Sequence, residues 1–125
     1  MLANAAVIAF VTVSSPAHAL NFYRDTLALK LIEETPYAIV FDCKGVMLRV
    51  AISQQVEPAP YTVLGWHVDN IEATVTEMQK KKIKFQQYGF LEQDDLGIWT
   101  TPDGAKVAWF AHPDGNILSL TQFAK

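Results

Sequence analysis

Phe10-Val11-Thr12-Val13-Ser14-Ser15-Pro16 and Gly65-Trp66-His67-Val68-Asp69-Asn70-Ile71 decide how this chain is read, because each runs an apolar-rich strand into a helix start. They lie about 55 residues apart, the kind of period that marks repeated supersecondary units. In the first copy Ser14 or Ser15 is placed to cap the helix, with Pro16 in the first turn, where a missing N–H costs nothing. In the second, Asp69 and Glu72 have capping-box spacing. The helices then present Leu20, Tyr23 and Leu27, and Ile71, Val75 and Met78, at the spacing of a core-facing stripe.

Three strand-like runs follow each helix. After the first come Lys30 to Glu34, Tyr37 to Asp42 and Val46 to Ile52, punctuated by Thr35-Pro36 and a Lys44-Gly45 turn. After the second come Lys84 to Tyr88, Ala105 to Ala111 and Asn116 to Thr121, with Gly97 to Thr100 as a possible short addition. Pro102-Asp103-Gly104 and Pro113-Asp114-Gly115 are the turns between them. Residues 54–60, carrying Pro58 and Pro60, form a linker between a first module at about 5–53 and a second at about 61–123. Each module alone is too small to bury an adequate core, which predicts one domain spanning residues 1–125.

Composition excludes several classes. With 50% hydrophobic and 18% charged residues the chain is neither disordered nor fibrous. Its net charge of −3 argues against a nucleic-acid partner, and Lys80-Lys81-Lys82 with Lys84 reads as the solvated end of a helix. The single cysteine, Cys43, excludes an internal disulfide framework and sits in a hairpin turn. Ala17-His18-Ala19 after the apolar run Ala5 to Val13 imitates a signal-peptidase site. No Lys or Arg precedes that run, and it fits the repeat, so it is read as the first strand. Nothing approaches transmembrane length, and a cytoplasmic protein without membrane attachment is the expectation.

Three segments, in order, carry a family resemblance over residues 7–123. Leu20-Asn21-Phe22-Tyr23-Arg24-Asp25-Thr26-Leu27-Ala28-Leu29 resembles the helix-end signature of the glyoxalase/bleomycin resistance/dioxygenase (vicinal oxygen chelate) superfamily, with Ala28 where that signature has glycine. Val68-Asp69-Asn70 before a helix resembles the start of its second module. His112-Pro113-Asp114-Gly115-Asn116 resembles its Asp-Pro-Asp-Gly-Asn turn, with His112 for the first aspartate. The resemblance implies an α+β fold of two βαβββ modules in one glyoxalase-like domain. It implies a cupped mixed sheet with the helices on its outer face, and paired subunits.

Metal-dependent members hold a divalent ion with four His, Gln or Glu side chains that project into the cup, and the ion polarises substrate oxygens. Registered on those motifs, the four positions are Ile8, Arg49, Val63 and Ser119. Ile8 and Val63 offer no ligand atom, Arg49 repels a cation and Ser119 is a weak ligand, so no metal or other cofactor is expected. Strand alternation adds Phe10 and Thr12 beside Ile8, Met47 beside Arg49, Gly65 and His67 beside Val63, and Thr121 beside Ser119.

The implied site is an apolar cup with Arg49 as an anion-accepting donor set and His67 as a titratable imidazole. Against this stands a structural reading of equal weight: Arg49 paired to Glu33 or another carboxylate, His67 bonded to a neighbouring carbonyl. Trp99, Trp109, Tyr61 and Phe90 are candidates for the mouth, with their faces open. The function implied is a metal-independent small-molecule-binding protein, as a homodimer. An isomerase or lyase using His67 as general base is the alternative, and a metal-dependent glyoxalase or dioxygenase is third.

Overall fold

A computed structural model describes residues 1–124. The chain divides into two compact units, Met1–Glu57 and Pro58–Lys125, and the division falls inside the expected linker. Among the described residues no helix is long and apolar enough to cross a membrane.

In the first unit β1 (Ile8–Val13) leads into α1 (Pro16–Ala19), followed by β2 (Lys30–Glu34), β3 (Ala38–Cys43) and β4 (Val46–Ile52). The sheet order is β1-β4-β3-β2, with β1 parallel to β4 and the other pairs antiparallel. Ser15 is the N-cap, its hydroxyl accepting from His18 N, and Pro16 follows it. The helix does not continue as the expected α-helix: Leu20–Thr26 is π-helical, closed by Leu27 N donating to Phe22 O. The wider turn brings Phe22 inward beside Tyr23, both at 1% exposure or less, whereas the α-periodic stripe had named Leu20 and Leu27, which are only half-buried.

Burial alternates along β1 and β4, whereas Ala38 to Phe41 of β3 are buried on both faces. Val11, Val13, Ile39, Phe41, Leu48 and Val50 are buried on the face that the helix covers, where the rings of Tyr23 and Phe41 lie 6.0 Å apart. The opposite, open face carries Ile8, Phe10 and Thr12, paired in register with Met47, Arg49 and Ala51. The β3–β4 hairpin turns on Lys44 (φ 51) and Gly45 (φ 91), a left-handed pair matched to the strand twist, and Asp42 Oδ1 accepts from Gly45 N.

The second unit has the order β5-β8-β7-β6, with β5 (Thr62–His67) parallel to β8 (Ile117–Gln122), and β7 (Lys106–Ala111) between β8 and the short β6 (Trp99–Thr100). Helix α2 (Ile71–Lys80) packs on β7 and β8 through Ile71, Val75 and Met78, as its stripe predicts. Its cap differs from the expectation. Asn70 is the N-cap, with Oδ1 accepting from Ala73 N, and Gln122 Oε1 accepts from Ile71 N. Glu72 therefore does not reach back as a capping box; it pairs with Lys106 on β7 at 2.7 Å.

The run Lys84 to Tyr88 is not a strand either. Only Phe85 bridges to Phe110, and Gln86 N donates to Trp109 O. The segment is held instead by Gln93. Its amide donates to Gln86 O and Gly97 O, both at 2.8 Å, and accepts from Tyr88 N at 2.6 Å. Asp94 Oδ1 caps the following turn by accepting from Leu96 N and Ile98 N. Side chains thus take the place of a strand ladder, and no hydrophobic period reports that.

Two outcomes follow. Ala28 stands at φ 58, at the end of the π-helical stretch, where a Cβ is strained. Ala28→Gly should therefore raise stability by about 1 kcal/mol in denaturant unfolding. Gln93→Leu removes all three amide contacts at similar volume, so amide hydrogen exchange should accelerate across residues 86–97. Exchange in β7 and β8 should stay slow.

Candidate ligand-binding site

Each unit has an open face, and the residues singled out from sequence sort onto these two faces. In the first unit, neighbouring strands place Phe10, Arg49, Val40 and Glu33 in one row, and Ile8, Met47, Asp42 and Lys30 in the next. Glu33 is thus separated from Arg49 by the width of Val40. Arg49 is half-buried, and among the described residues its guanidinium has no ion pair and no hydrogen bond. Ion pairs join Arg24 to Asp25 and Lys106 to Glu72 elsewhere in the chain. On the β1 side of Arg49 the face is apolar and exposed, with Ile8 45% exposed, Phe10 59% and Met47 39%, while Val40 on its other side is 2% exposed.

In the second unit a register shift lies between Thr62 and Leu64. Thr62, Gly65 and His67 pair with Ile117, Ser119 and Thr121 on the open face, while Leu64 and Trp66 pair with Leu118 and Leu120 beneath α2. Val63 is the extra residue at the bulge, half-buried and outside these rows, and Thr62 stands in the row where Val63 had been expected. His67 is exposed, and its ring meets Phe123 edge-on at 5.1 Å. No described group hydrogen-bonds its imidazole.

Across β7 and β6 the same face carries Val107, Trp109 and Trp99, since Trp109 pairs with Ser119 and Trp99 with Val107. The indoles of Trp99 and Trp109 lie 6.2 Å apart at 28°, Tyr88 meets Trp109 edge-on at 5.5 Å, and Phe90 stacks on Tyr88 at 5.7 Å. Trp109 Nε1 donates to Thr62 Oγ1 at 3.1 Å, which fixes the tilt of the indole. The result is a continuous aromatic wall ending in Phe90, which is 83% exposed. A groove of about 540 Å³ runs beside it along Phe90, Gln93, Asp94, Ile98 and Trp99. Loss of hydration pushes the Tyr88 phenol up, so its hydroxyl stays protonated at neutral pH.

Of the four mouth candidates, Trp99, Trp109 and Phe90 belong to this wall, while Tyr61 is 67% exposed and outside it. Tyr88 and Thr62 were missed. Trp109 had a signal: Ala108 and Phe110 alternate with it, and their burial against α2 turns Trp109 the other way. For Tyr88, fixed by Gln93, no local pattern existed.

With Thr62 in the row expected of Val63, the four positions at which the family resemblance would put metal ligands hold one hydrocarbon side chain (Ile8), a guanidinium (Arg49) and two neutral hydroxyls (Thr62 and Ser119). That donor set does not fit a divalent ion. Among the described residues no group of three or more His, Cys, Asp and Glu side chains converges as an ion site.

The comparisons with known proteins agree on the architecture. The model of the Glyoxalase/Bleomycin resistance protein/Dioxygenase superfamily matches residues 5–120. A glyoxalase family protein from Enterococcus faecalis superposes with a TM-score of 0.74 at 21% identity, covering 97% of this chain and 99% of that one. A lactoylglutathione lyase from Agrobacterium tumefaciens gives 0.73 at 16%, covering 95% and 93%. TnmS3, an antibiotic binding protein from Streptomyces sp. CB03234, gives 0.74 at 21%, covering 99% of each chain. At these identities the likeness is one of fold. No curated protein matches the chain. With the family model spanning nearly the whole sequence, this chain belongs to the glyoxalase/bleomycin resistance protein/dioxygenase superfamily.

Proposed function

We propose that this protein is a metal-independent small-molecule-binding protein whose ligand carries an anionic or carbonyl group recognised by Arg49. The observation that supports this reading most is the half-buried guanidinium of Arg49, which has no partner among the described residues. Its alternative explanation, a structural pair with Glu33, is not made. Beside Ile8, Phe10 and Met47 a charge-assisted hydrogen bond is worth more than on an exposed surface, roughly 1.5–3 kcal/mol. The aromatic wall of Tyr88, Phe90, Trp99 and Trp109 supplies flat contact area for the same class of ligand. A neighbour in fold is an antibiotic binding protein, a function this arrangement would suit. Thr12, Thr121 and Ser119 add hydroxyls on the two open faces.

Binding is preferred to catalysis because His67 has no hydrogen-bonded partner among the described residues to fix its tautomer and orientation, as a general base ordinarily has. Metal independence is supported by Ile8, which supplies no ligand atom, and by Arg49, whose guanidinium only donates; Thr62 and Ser119 add nothing stronger than neutral hydroxyls. We further propose a cytoplasmic homodimer, since apolar side chains as exposed as Ile8 and Phe10 call for cover.

Mass spectrometry of small molecules released from the purified protein tests the reading. A stoichiometric anionic or carbonyl compound is expected. Arg49→Met, which keeps an unbranched side chain but no donors, should stay folded and weaken that compound's binding roughly tenfold or more. His67→Gln should leave affinity within about threefold. A folded Arg49→Met with unchanged affinity would make that arginine structural. Light scattering at micromolar concentration should give a dimer mass; monomer alone would remove the dimer from the account.

A further inference from the structure

We propose that Gly65 and Ser119 form the floor of a slot on the open face of the second sheet, which seats the edge of a planar, carbonyl-bearing molecule. Ser119 Oγ donates to the carbonyl oxygen. The proposal deepens the small-molecule reading above and rests on it.

Gly65 lies inside β5, where glycine gives up both chain entropy and packing. Its backbone does not require glycine, because it is not among the positive-φ positions. The requirement is space. A Cβ at residue 65 would stand 2.6 Å from Ser119 Oγ, so the hydroxyl leans over the glycine on the open face. A glycine within a strand often marks a place where something approaches the backbone closely.

Ser119 supplies the second observation. It is only 7% exposed, yet no described group hydrogen-bonds its hydroxyl. The residue is buried but the hydroxyl oxygen itself reaches the open face, so a partner for it comes from outside the sheet, over Gly65. The surroundings select the partner's shape. Trp109 pairs with Ser119 on the far side, its indole held by Thr62 and extended by Trp99. His67 and Thr121 form the next pair along the same two strands. A flat ring can seat its edge over residue 65 beside the Ser119 hydroxyl, with its oxygen accepting from that hydroxyl and its face or edge against Trp109. A side chain at residue 65 would occupy that place.

Coumarin and naphthalene are suitable probes, since both are fused six-membered ring pairs and only coumarin has a carbonyl. In ligand-observed saturation-transfer titrations the intact protein should bind coumarin roughly two- to tenfold more tightly than naphthalene. Ser119→Ala should erase that preference and leave naphthalene affinity unchanged. Gly65→Ala should weaken both probes at least tenfold, with circular dichroism and thermal midpoint reporting an intact fold. Only the flexible end of Ser119 must move to admit the methyl group, as the next nearest atom is 3.4 Å away. Should the single variant misfold, Gly65→Ala/Ser119→Ala removes the clash while still filling the slot, and it should bind neither probe.

A folded Gly65→Ala that binds like the parent, or Ser119→Ala that retains the coumarin preference, would overturn the slot. Failure of both probes on the parent, while an Arg49-dependent compound still co-purifies, would overturn the slot and leave the broader reading standing. Failure of both probes with nothing co-purifying would remove both.

Discussion

Everything distinctive about this protein depends on the two-residue alternation of its parallel strand pairs, β1–β4 and β5–β8. One face of each sheet must be apolar because a helix covers it; the other is then left to whatever function requires. Val11, Val13, Leu48 and Val50 meet the first demand in one unit, and Leu118, Leu120, Ala108 and Phe110 in the other. Their burial fixes the register. A shift of one residue would drive Arg49 or Ser119 under a helix, where an arginine without a partner costs several kcal/mol. The core therefore dictates which residues face outward without contacting any ligand.

What the open faces carry is unusual for surfaces that serve only solubility. Phe10 and Ile8 stand beside an unpaired arginine, and four aromatic rings run in sequence along the second unit. Exposed apolar area next to polar groups with unused hydrogen-bonding capacity is the make-up of a recognition surface. In the function proposed above, recognition comes from these groups and not from a metal. The Gln93 clamp contributes by holding Tyr88 at the end of the wall, where a flexible loop would pay ordering entropy on each binding event.

The sequence carried most of this fold in patterns of short range. The repeat, the Ser15 cap with Pro16, the Lys44-Gly45 hairpin and the β2 and β4 spans were all legible, because each is set by neighbours along the chain. Ile8, Arg49 and Ser119 were assigned to their faces by registration on the family's motifs, and Phe10, Thr12, Met47, Gly65, His67 and Thr121 by strand alternation from them. The misses share one cause: they are set by hydrogen bonds that hydrophobic periodicity does not report. Asn70 rather than Asp69 caps α2, and Gln122, distant in sequence, completes the cap. The π-helical stretch brings in Phe22. Lys84 to Tyr88 reads as a strand but is held by a glutamine side chain, and a bulge at Val63 puts Thr62 in the row. Alternation cannot see an inserted residue.

The central claim is that ligand binds the helix-free faces and not the helix surfaces. The direct measurement is a backbone and indole ¹H–¹⁵N spectrum of the protein stripped of small molecules, recorded before and after the co-purified compound is returned. The account predicts shifts on a helix-free face, at Phe10 and Arg49 of the first unit or at Gly65, Ser119 and the Trp109 indole N–H of the second, with the exposed side of α2 unchanged. Shifts confined to α2, around Glu72, Thr76 and Lys80, with the Trp109 indole and Arg49 unmoved, would contradict it.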